Sequence, residues 1–209
     1  MSYPPRTVRV VLEVVFPLAC PGCGNRGAPL CPRCADRLVR PVAAPPPPGV
    51  DGWCAPFAYE GTGRELVARV KYRNVRAVVP WLASAMATVA TESGLTAAAV
   101  TWAPTTPARR RARGFDPAEL LARALARRLG ARCTGLLDRQ PGPPQTGLPA
   151  AARRRGPNFV ARRAAPACVL LVDDIATTGA TLSAAARTLR VAGARQVVAV
   201  TAARTPPPW

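Results

Sequence analysis

The sequence predicts an α/β fold, a parallel sheet flanked by helices, with a small four-cysteine module at its N-terminal end. Three observations carry this prediction. From residue 53 onward, apolar runs of strand length alternate with amphipathic stretches of helix length, the order that builds parallel sheets. Val169 to Val172 is an unbroken apolar run, suited to a strand covered on both faces, and it leads into the acid pair Asp173-Asp174. Near the start of the chain, Cys20 and Cys23, then Cys31 and Cys34, form two C-x-x-C pairs. A chain of 209 residues can bury one sizeable core plus a small metal-stabilised module.

Taken in chain order, Val8 to Ala19 is largely apolar, and Glu13 and Pro17 interrupt it. Val10, Val11, Val14 and Val15 predict a short amphipathic helix docked on the body of the protein. Leu18-Ala19-Cys20 loosely resembles a lipoprotein cleavage site, but Cys20 belongs to the cysteine spacing. No run is long and uncharged enough to span a bilayer, so the chain is expected to be soluble and cytoplasmic.

The cysteine pairs are flanked by Gly22, Gly24 and Pro32, residues that make tight turns and let four thiolates converge on one Zn²⁺. Iron–sulfur ligation or disulfides in an oxidising compartment use the same residues. A doubled C-x-x-C in an intracellular chain most often holds structural zinc, here in a ribbon or knuckle. Cys54, Cys133 and Cys168 stand alone and read as small packing residues. Ala43 to Pro48, followed by Gly49, can be neither helix interior nor central strand and reads as a stiff linker. The predicted division is residues 1–44 for the N-terminal segment and cysteine module, 45–52 for the linker and 53–209 for the α/β domain.

Within that domain, Trp53 to Tyr59 reads as a strand, and Gly61 to Tyr72 and Val75 to Thr91 as helices. Ala98 to Ala103 is a second strand, leading into Pro104-Thr-Thr-Pro107. Pro117 to Leu129 is an arginine-rich amphipathic helix with proline in its first turn. Pro141 to Pro149 is a loop, and Val197 to Thr201, after Gly193, is a further strand.

The segment after Val169 carries the functional signal. Asp173 and Asp174 are expected at the carboxyl end of a buried strand, where open α/β sheets place ligands. Adjacent carboxylates can accept hydrogen bonds from vicinal hydroxyls and help hold a hydrated divalent cation. Thr177, Thr178, Gly179 and Thr181 then supply hydroxyls and a close backbone approach, and the apolar pattern from Leu182 to Val191 predicts a helix whose first N–H groups face that loop. Together they read as a cradle for a sugar phosphate. A strand ending in two acids also opens phosphoacceptor receiver domains, but there the pair stands near the chain start. A plain structural loop before a helix is the remaining alternative.

Composition bounds the chemistry. There is no histidine, which excludes Cys/His zinc sites, a histidine general base and Ser-His-Asp hydrolysis. Lys+Arg number 29 against 11 Asp+Glu, a net charge of +18, and Lys71 is the sole lysine. Arginine runs at Arg109 to Arg113, at Arg153 to Arg155 and at Arg162-Arg163 suit diphosphate and nucleic-acid phosphates equally. A GC-rich genome would raise arginine in the same way.

Val172 to Thr181 resembles the phosphoribosyl-pyrophosphate (PRPP) motif of type I phosphoribosyltransferases, and so implies their Rossmann-like fold. The resemblance implies that Asp173 and Asp174 bind the ribose hydroxyls and that Ala176, Thr177, Thr178, Gly179, Ala180 and Thr181 wrap the 5-phosphate. Enzymes acting on 6-oxopurines usually carry an acid near the position of Thr177, so hypoxanthine or guanine salvage is disfavoured. The four cysteines, Lys71-Tyr72, Pro104-Thr-Thr, Arg113-Gly-Phe115, Gln145-Thr-Gly-Leu148, Arg155 and Asn158 extend the likeness to the ComF family, which includes proteins of natural competence and DNA uptake. It implies PRPP or another phosphoribosyl ligand with Mg²⁺, Thr105 and Thr106 beside it, and Lys71 and Arg113 meeting the pyrophosphate. Where the family often has Asn-Gln after Arg-Gly-Phe, this chain has Asp116-Pro117, and its proline linker is longer. A second reading follows from the same resemblance: a non-catalytic DNA-uptake accessory that binds single-stranded DNA or a motor protein. Few aromatics lie near the basic runs, so such binding would be mostly phosphate-driven.

Overall fold

The computed structural model describes residues 19–20, 22–28, 30–72, 78–95, 97–141 and 156–206. In chain order the elements are α1 (Pro32–Ala35), β1 (Gly52–Cys54), β2 (Phe57–Ala58), α2 (Gly61–Tyr72), α3 (Val79–Glu92), β3 (Ala99–Trp102), α4 (Pro107–Arg113) and α5 (Pro117–Leu129). They continue with β4 (Arg132–Cys133), β5 (Leu137–Arg139), β6 (Phe159–Ala161), β7 (Cys168–Ala176), α6 (Ala180–Val191) and β8 (Gln196–Arg204). The amphipathic segment expected over residues 8–18 and most of the loop at 141–149 lie outside the described residues.

Six strands form a wholly parallel sheet in the order β1-β8-β7-β3-β4, with β2 also paired to β8. The strand expected over 53–59 is thus two short pieces in one register, Gly52 opposite Val198 and Phe57 opposite Ala203, interrupted around Pro56. Proline cannot donate to a ladder, and an edge strand tolerates it. The hairpin β5–β6 is antiparallel and separate from this sheet.

Alternating side chains divide the sheet's two faces, as a strand period of two requires. Leu170, Val172, Val198 and Val200 join one apolar cluster with Leu66 and Val70 of α2, Leu82 and Met86 of α3, and Leu121 and Leu125 of α5. Val169, Leu171, Val197 and Ala199 join the other, with Leu182, Ala185 and Leu189 of α6 and with Leu137 and Phe159 of the hairpin. Burying each large aliphatic side chain contributes about 1.5–3 kcal/mol, so the two clusters together hold the sheet between its layers.

Local chemistry fixes the helix that the sequence placed best. Asp116 caps α5 by accepting from the Ala118 N–H at 3.0 Å, and Pro117 occupies the first turn. Gly130 ends the helix in the left-handed region at φ 64°, and Arg127 and Arg128 sit in its last turn, where the helix dipole favours cations.

The proline segment is a strap across the second face. Val50 N–H donates to the Pro47 carbonyl at 3.0 Å, closing a turn through Pro48 and Gly49, with Gly49 at φ 85°. Pro47 and Val50 are buried. Arg190, near the end of α6, then clasps Asp51 with two contacts of 2.7 Å and donates to the Gly49 carbonyl at 3.0 Å. Asp51 also accepts from the Val197 N–H at the start of β8, at 2.7 Å.

Among the described residues, no helix is long and apolar enough to cross a membrane.

Candidate active site and metal centre

The connections out of β3 and β7 lead to opposite sides of the sheet. The path from β3 leads by α4 and α5 to β4 on one side, and that from β7 leads by α6 to β8 on the other. Between such strands the connections part, and the carboxyl ends leave a crevice where open α/β sheets bind ligands. A cleft of about 420 Å³ opens there. The residues just after β3 line it (Ala103, Pro104 and Thr105), as do the end of β7 and the loop beyond it, with Asp173, Asp174, Thr177, Thr178, Ala180 and Thr181.

β7 is longer than its apolar run. Its ladder with β8 continues through Asp173, Ile175 and Ala176, so the two acids lie in the last turns of the strand rather than past it. Asp173 accepts from the Asp174 N–H at 2.8 Å, which helps orient the pair. Gly179 stands at the start of α6 in the left-handed region, φ 74°. A Cβ there would lie 2.7 Å from Pro47 Cγ, so the strap closes the back of the loop and leaves room only for glycine. The Ala180 N–H turns toward the Thr178 hydroxyl, 3.4 Å away, while Thr177 and Thr178 remain exposed.

Not every expected residue lines the cleft. Thr106 caps α4, accepting from the Arg109 N–H at 3.3 Å, and only its neighbour Thr105 faces the ligand space. Ala176 is buried and accepts from the Thr205 N–H at 2.9 Å, and Gly179 is likewise buried behind the loop. Arg113 lines the cleft from the last turn of α4. The backbone of Lys71 falls in α2, but its side chain lies outside the described residues, as do Gln145 to Leu148 and Arg155.

The structure adds residues that the sequence did not single out. Arg139 of β5, Tyr59, Gly156 and Pro157 all line the same cleft, together with Arg109 from the arginine run that the sequence offered for phosphates. So does Asp116, which is only 3 % exposed. Its carboxylate accepts from the Thr105 N–H at 2.8 Å as well as from Ala118, tying the loop after β3 to the start of α5. Burial pushes the Asp116 pKa up. The N–H groups of Thr105, Ala118 and Glu119 oppose that shift, and the charge of Asp174 adds to it. Asp116 with Pro117 therefore builds both a helix cap and a wall of the cleft.

The four cysteines converge. Their sulfurs all lie within 4.8 Å of one another, and Cys23 Sγ and Cys31 Sγ are 3.6 Å apart. Tetrahedral zinc with bonds of about 2.3 Å needs sulfurs about 3.8 Å apart, so this donor set can hold such a metal. Burial acts against ionisation of Cys20, but the backbone N–H groups of Cys31, Gly22 and Cys23 and the thiol of Cys34 outweigh it and bring its pKa to about 6. Donors arranged around one thiolate in this way suit a metal ligand. Cys20 and Cys34 are buried in the same apolar cluster as Phe57 and Leu66. A Cβ on Gly22 would lie 2.8 Å from Cys34 Sγ, which fixes glycine at that turn.

No protein-family model matches the chain, and no curated protein matches it. Among solved structures, it is similar to the allosteric regulatory enzyme of purine biosynthesis, at 23% identity and a TM-score of 0.41 over 60% of this chain and 26% of that one. It is also similar to glutamine PRPP amidotransferase from B. subtilis, at 23% identity and a TM-score of 0.42 over 60% of this chain and 27% of that one. A third likeness is to purine phosphoribosyltransferase from Pyrococcus horikoshii, at 16% identity and a TM-score of 0.38 over 61% of this chain and 83% of that one. The chain thus spans about a quarter of the length of the first two. Its own sheet and cleft define it as a parallel α/β protein with a ligand site at the crevice between two central strands and a four-cysteine group able to hold a metal.

Proposed function

We propose that this chain is a PRPP-binding, phosphoribosyltransferase-type protein of the ComF kind, which transfers ribose-5-phosphate to an acceptor and releases pyrophosphate. One observation carries the reading: a single cleft gathers Asp173, Asp174, Thr177, Thr178 and Thr181 with Arg113. Carboxylates for a ribose, a hydroxyl-rich helix start for a phosphate and a cation for a diphosphate are the groups that PRPP requires.

In this mechanism the loop from Thr177 to Thr181 anchors the 5-phosphate, and Asp173 with Asp174 hold the ribose hydroxyls so that C1 faces the acceptor. The C1–O bond to the diphosphate breaks as the acceptor nucleophile bonds to C1, and the bonding pair leaves with pyrophosphate. Arg113 stabilises the charge growing on that leaving group, and Lys71 is assigned the same part. Asp173 and Asp174 also suit Mg²⁺, which when bound with PRPP neutralises part of the diphosphate charge. The cysteine group is assigned structural zinc, and residues 1–44, 45–52 and 53–209 are proposed as module, linker and catalytic domain. The cytoplasm, where PRPP and reduced thiols coexist, is the proposed compartment.

Calorimetric titration with PRPP, with and without Mg²⁺, tests the reading. Magnesium-dependent binding is expected, and Asp174→Asn should weaken it at least tenfold. An unchanged affinity in that variant would refute the ribose assignment.

A second reading, a DNA-uptake accessory, draws on another groove, where Arg162, Arg163 and Arg187 stand exposed beside β6 and α6. Single-stranded DNA would then bind in a salt-sensitive way. Absence of binding at low salt by folded, zinc-loaded protein removes this reading.

A further inference from the structure

The arginines of the cleft come from two separate elements. Arg109 and Arg113 belong to α4, whereas Arg139 ends β5, in the hairpin that stands apart from the parallel sheet. Arg139 is directly opposite Phe159 across the hairpin, and its guanidinium lies over that ring, 5.9 Å from the centroid. A guanidinium placed over an aromatic face keeps its in-plane N–H donors available, the edge that grips a carboxylate or phosphate with two bonds.

Opposing influences act on Arg139. Burial lowers its pKa, the positive charge of Arg109 lowers it further, and Asp173 and Asp116 pull the other way. Neither Arg109 nor Arg139 forms a salt bridge with another described residue, although Arg110, Arg123, Arg162 and Arg190 each do. Asp116, the nearby buried acid, already spends its oxygens on the Thr105 and Ala118 N–H groups. Two cations held near each other in a partly desolvated cleft repel, and an anion between them relieves that repulsion.

We propose that Arg139, with Arg109 beside it, is the specificity-determining contact for the acceptor, and that the acceptor carries an anionic group, a carboxylate or a phosphate. This inference rests on the PRPP reading: the 5-phosphate has the Thr177–Thr181 loop, the diphosphate has Arg113, and Arg139 on the hairpin remains for the incoming molecule. Hypoxanthine and guanine lack such a group, so a cleft of this kind selects against neutral purine bases.

Matched pairs differing in charge provide the test. Protein saturated with ribose-5-phosphate is titrated calorimetrically with nicotinate against nicotinamide, orotate against uracil, and benzylphosphonate against benzyl alcohol. The expected result is that at least one anionic member binds tenfold or more tightly than its neutral partner. The first two pairs identify a carboxylate reader and the third a phosphate reader. Arg139→Ala should erase the difference while leaving the affinity for ribose-5-phosphate unchanged, which also shows that the variant is folded. Arg139→Lys, which keeps the charge but loses the fork, should retain only part of it. No discrimination in any pair overturns the proposal. It is equally overturned if Arg139→Ala weakens ribose-5-phosphate or pyrophosphate instead, since the residue would then serve PRPP. Failure of the parent protein to bind either PRPP or ribose-5-phosphate would instead refute the underlying PRPP reading.

Discussion

Replacing Asp116 by alanine tests whether one buried carboxylate both caps a helix and builds a wall of the cleft. The side chain is 3 % exposed and accepts two backbone hydrogen bonds, at 2.8 Å from Thr105 and 3.0 Å from Ala118. Losing an N-cap costs about 1 kcal/mol. Leaving the Thr105 N–H without its acceptor adds about 1–3 kcal/mol, so the total is about 2–4 kcal/mol. With a urea slope of about 2 kcal/mol per molar, the unfolding midpoint should fall by roughly 1–2 M. PRPP affinity should fall too, because Thr105 lines the cleft. The pH dependence has a definite sign. A carboxyl whose pKa is raised on folding binds its proton more tightly in the native state, so this residue's contribution to stability declines as pH rises from the unfolded value through the folded one. Asp116→Asn removes that titration and keeps one acceptor, and should show a flatter pH–stability profile with a smaller loss at neutral pH. A destabilisation by Asp116→Ala of less than about 0.5 kcal/mol, the range of an ordinary surface change, would refute the reasoning.

Two further outcomes are expected. Purified protein should contain one zinc per chain by elemental analysis, and Cys31→Ser should lose it together with the cooperative melting of the cysteine module, whereas an iron chromophore would contradict the assignment. Gly179→Ala forces a side chain into the left-handed region and against Pro47, so it should destabilise by about 1–3 kcal/mol in denaturant titration and weaken PRPP binding; a neutral result would mean that the strap does not brace the loop.

Much of this architecture was legible because it follows from local pattern. The apolar spacing of Gly61 to Tyr72 and of Pro117 to Leu129 matches α2 and α5 at both ends. The acid pair and the threonine loop meet in one cleft as their order in the chain implies. Other parts needed tertiary information. The run from Arg109 to Arg113 reads as a phosphate-binding stretch with no helix assigned to it, although Thr106-Pro107 is a helix-start signal that could have revealed α4. The hairpin β5–β6 was missed because its short strands, three residues each, are separated by a long Pro/Gly/Arg stretch that gives no turn signature. Nothing in local pattern distinguishes Arg139 from the other arginines, since its place over Phe159 arises only from cross-strand register. The prolines from Pro45 to Pro48 rightly excluded helix and central strand, yet composition could not reveal that they lie against Gly179.

The position of β8 has a consequence for how the protein comes into being. This strand lies between β7 on one side and β1 with β2 on the other, and it follows all the other described elements in chain order. Until it is synthesised, the edge formed near residues 52–58 has no partner, and Asp51 has no Val197 N–H to receive. The strap that backs the Gly179 turn is therefore clasped in place only when Asp51 meets Arg190 and Val197. Such long-range pairing is slow to form, and earlier intermediates expose an open strand edge. During synthesis the cleft should accordingly mature only after β8 has emerged, and ligand binding should report completion of the sheet.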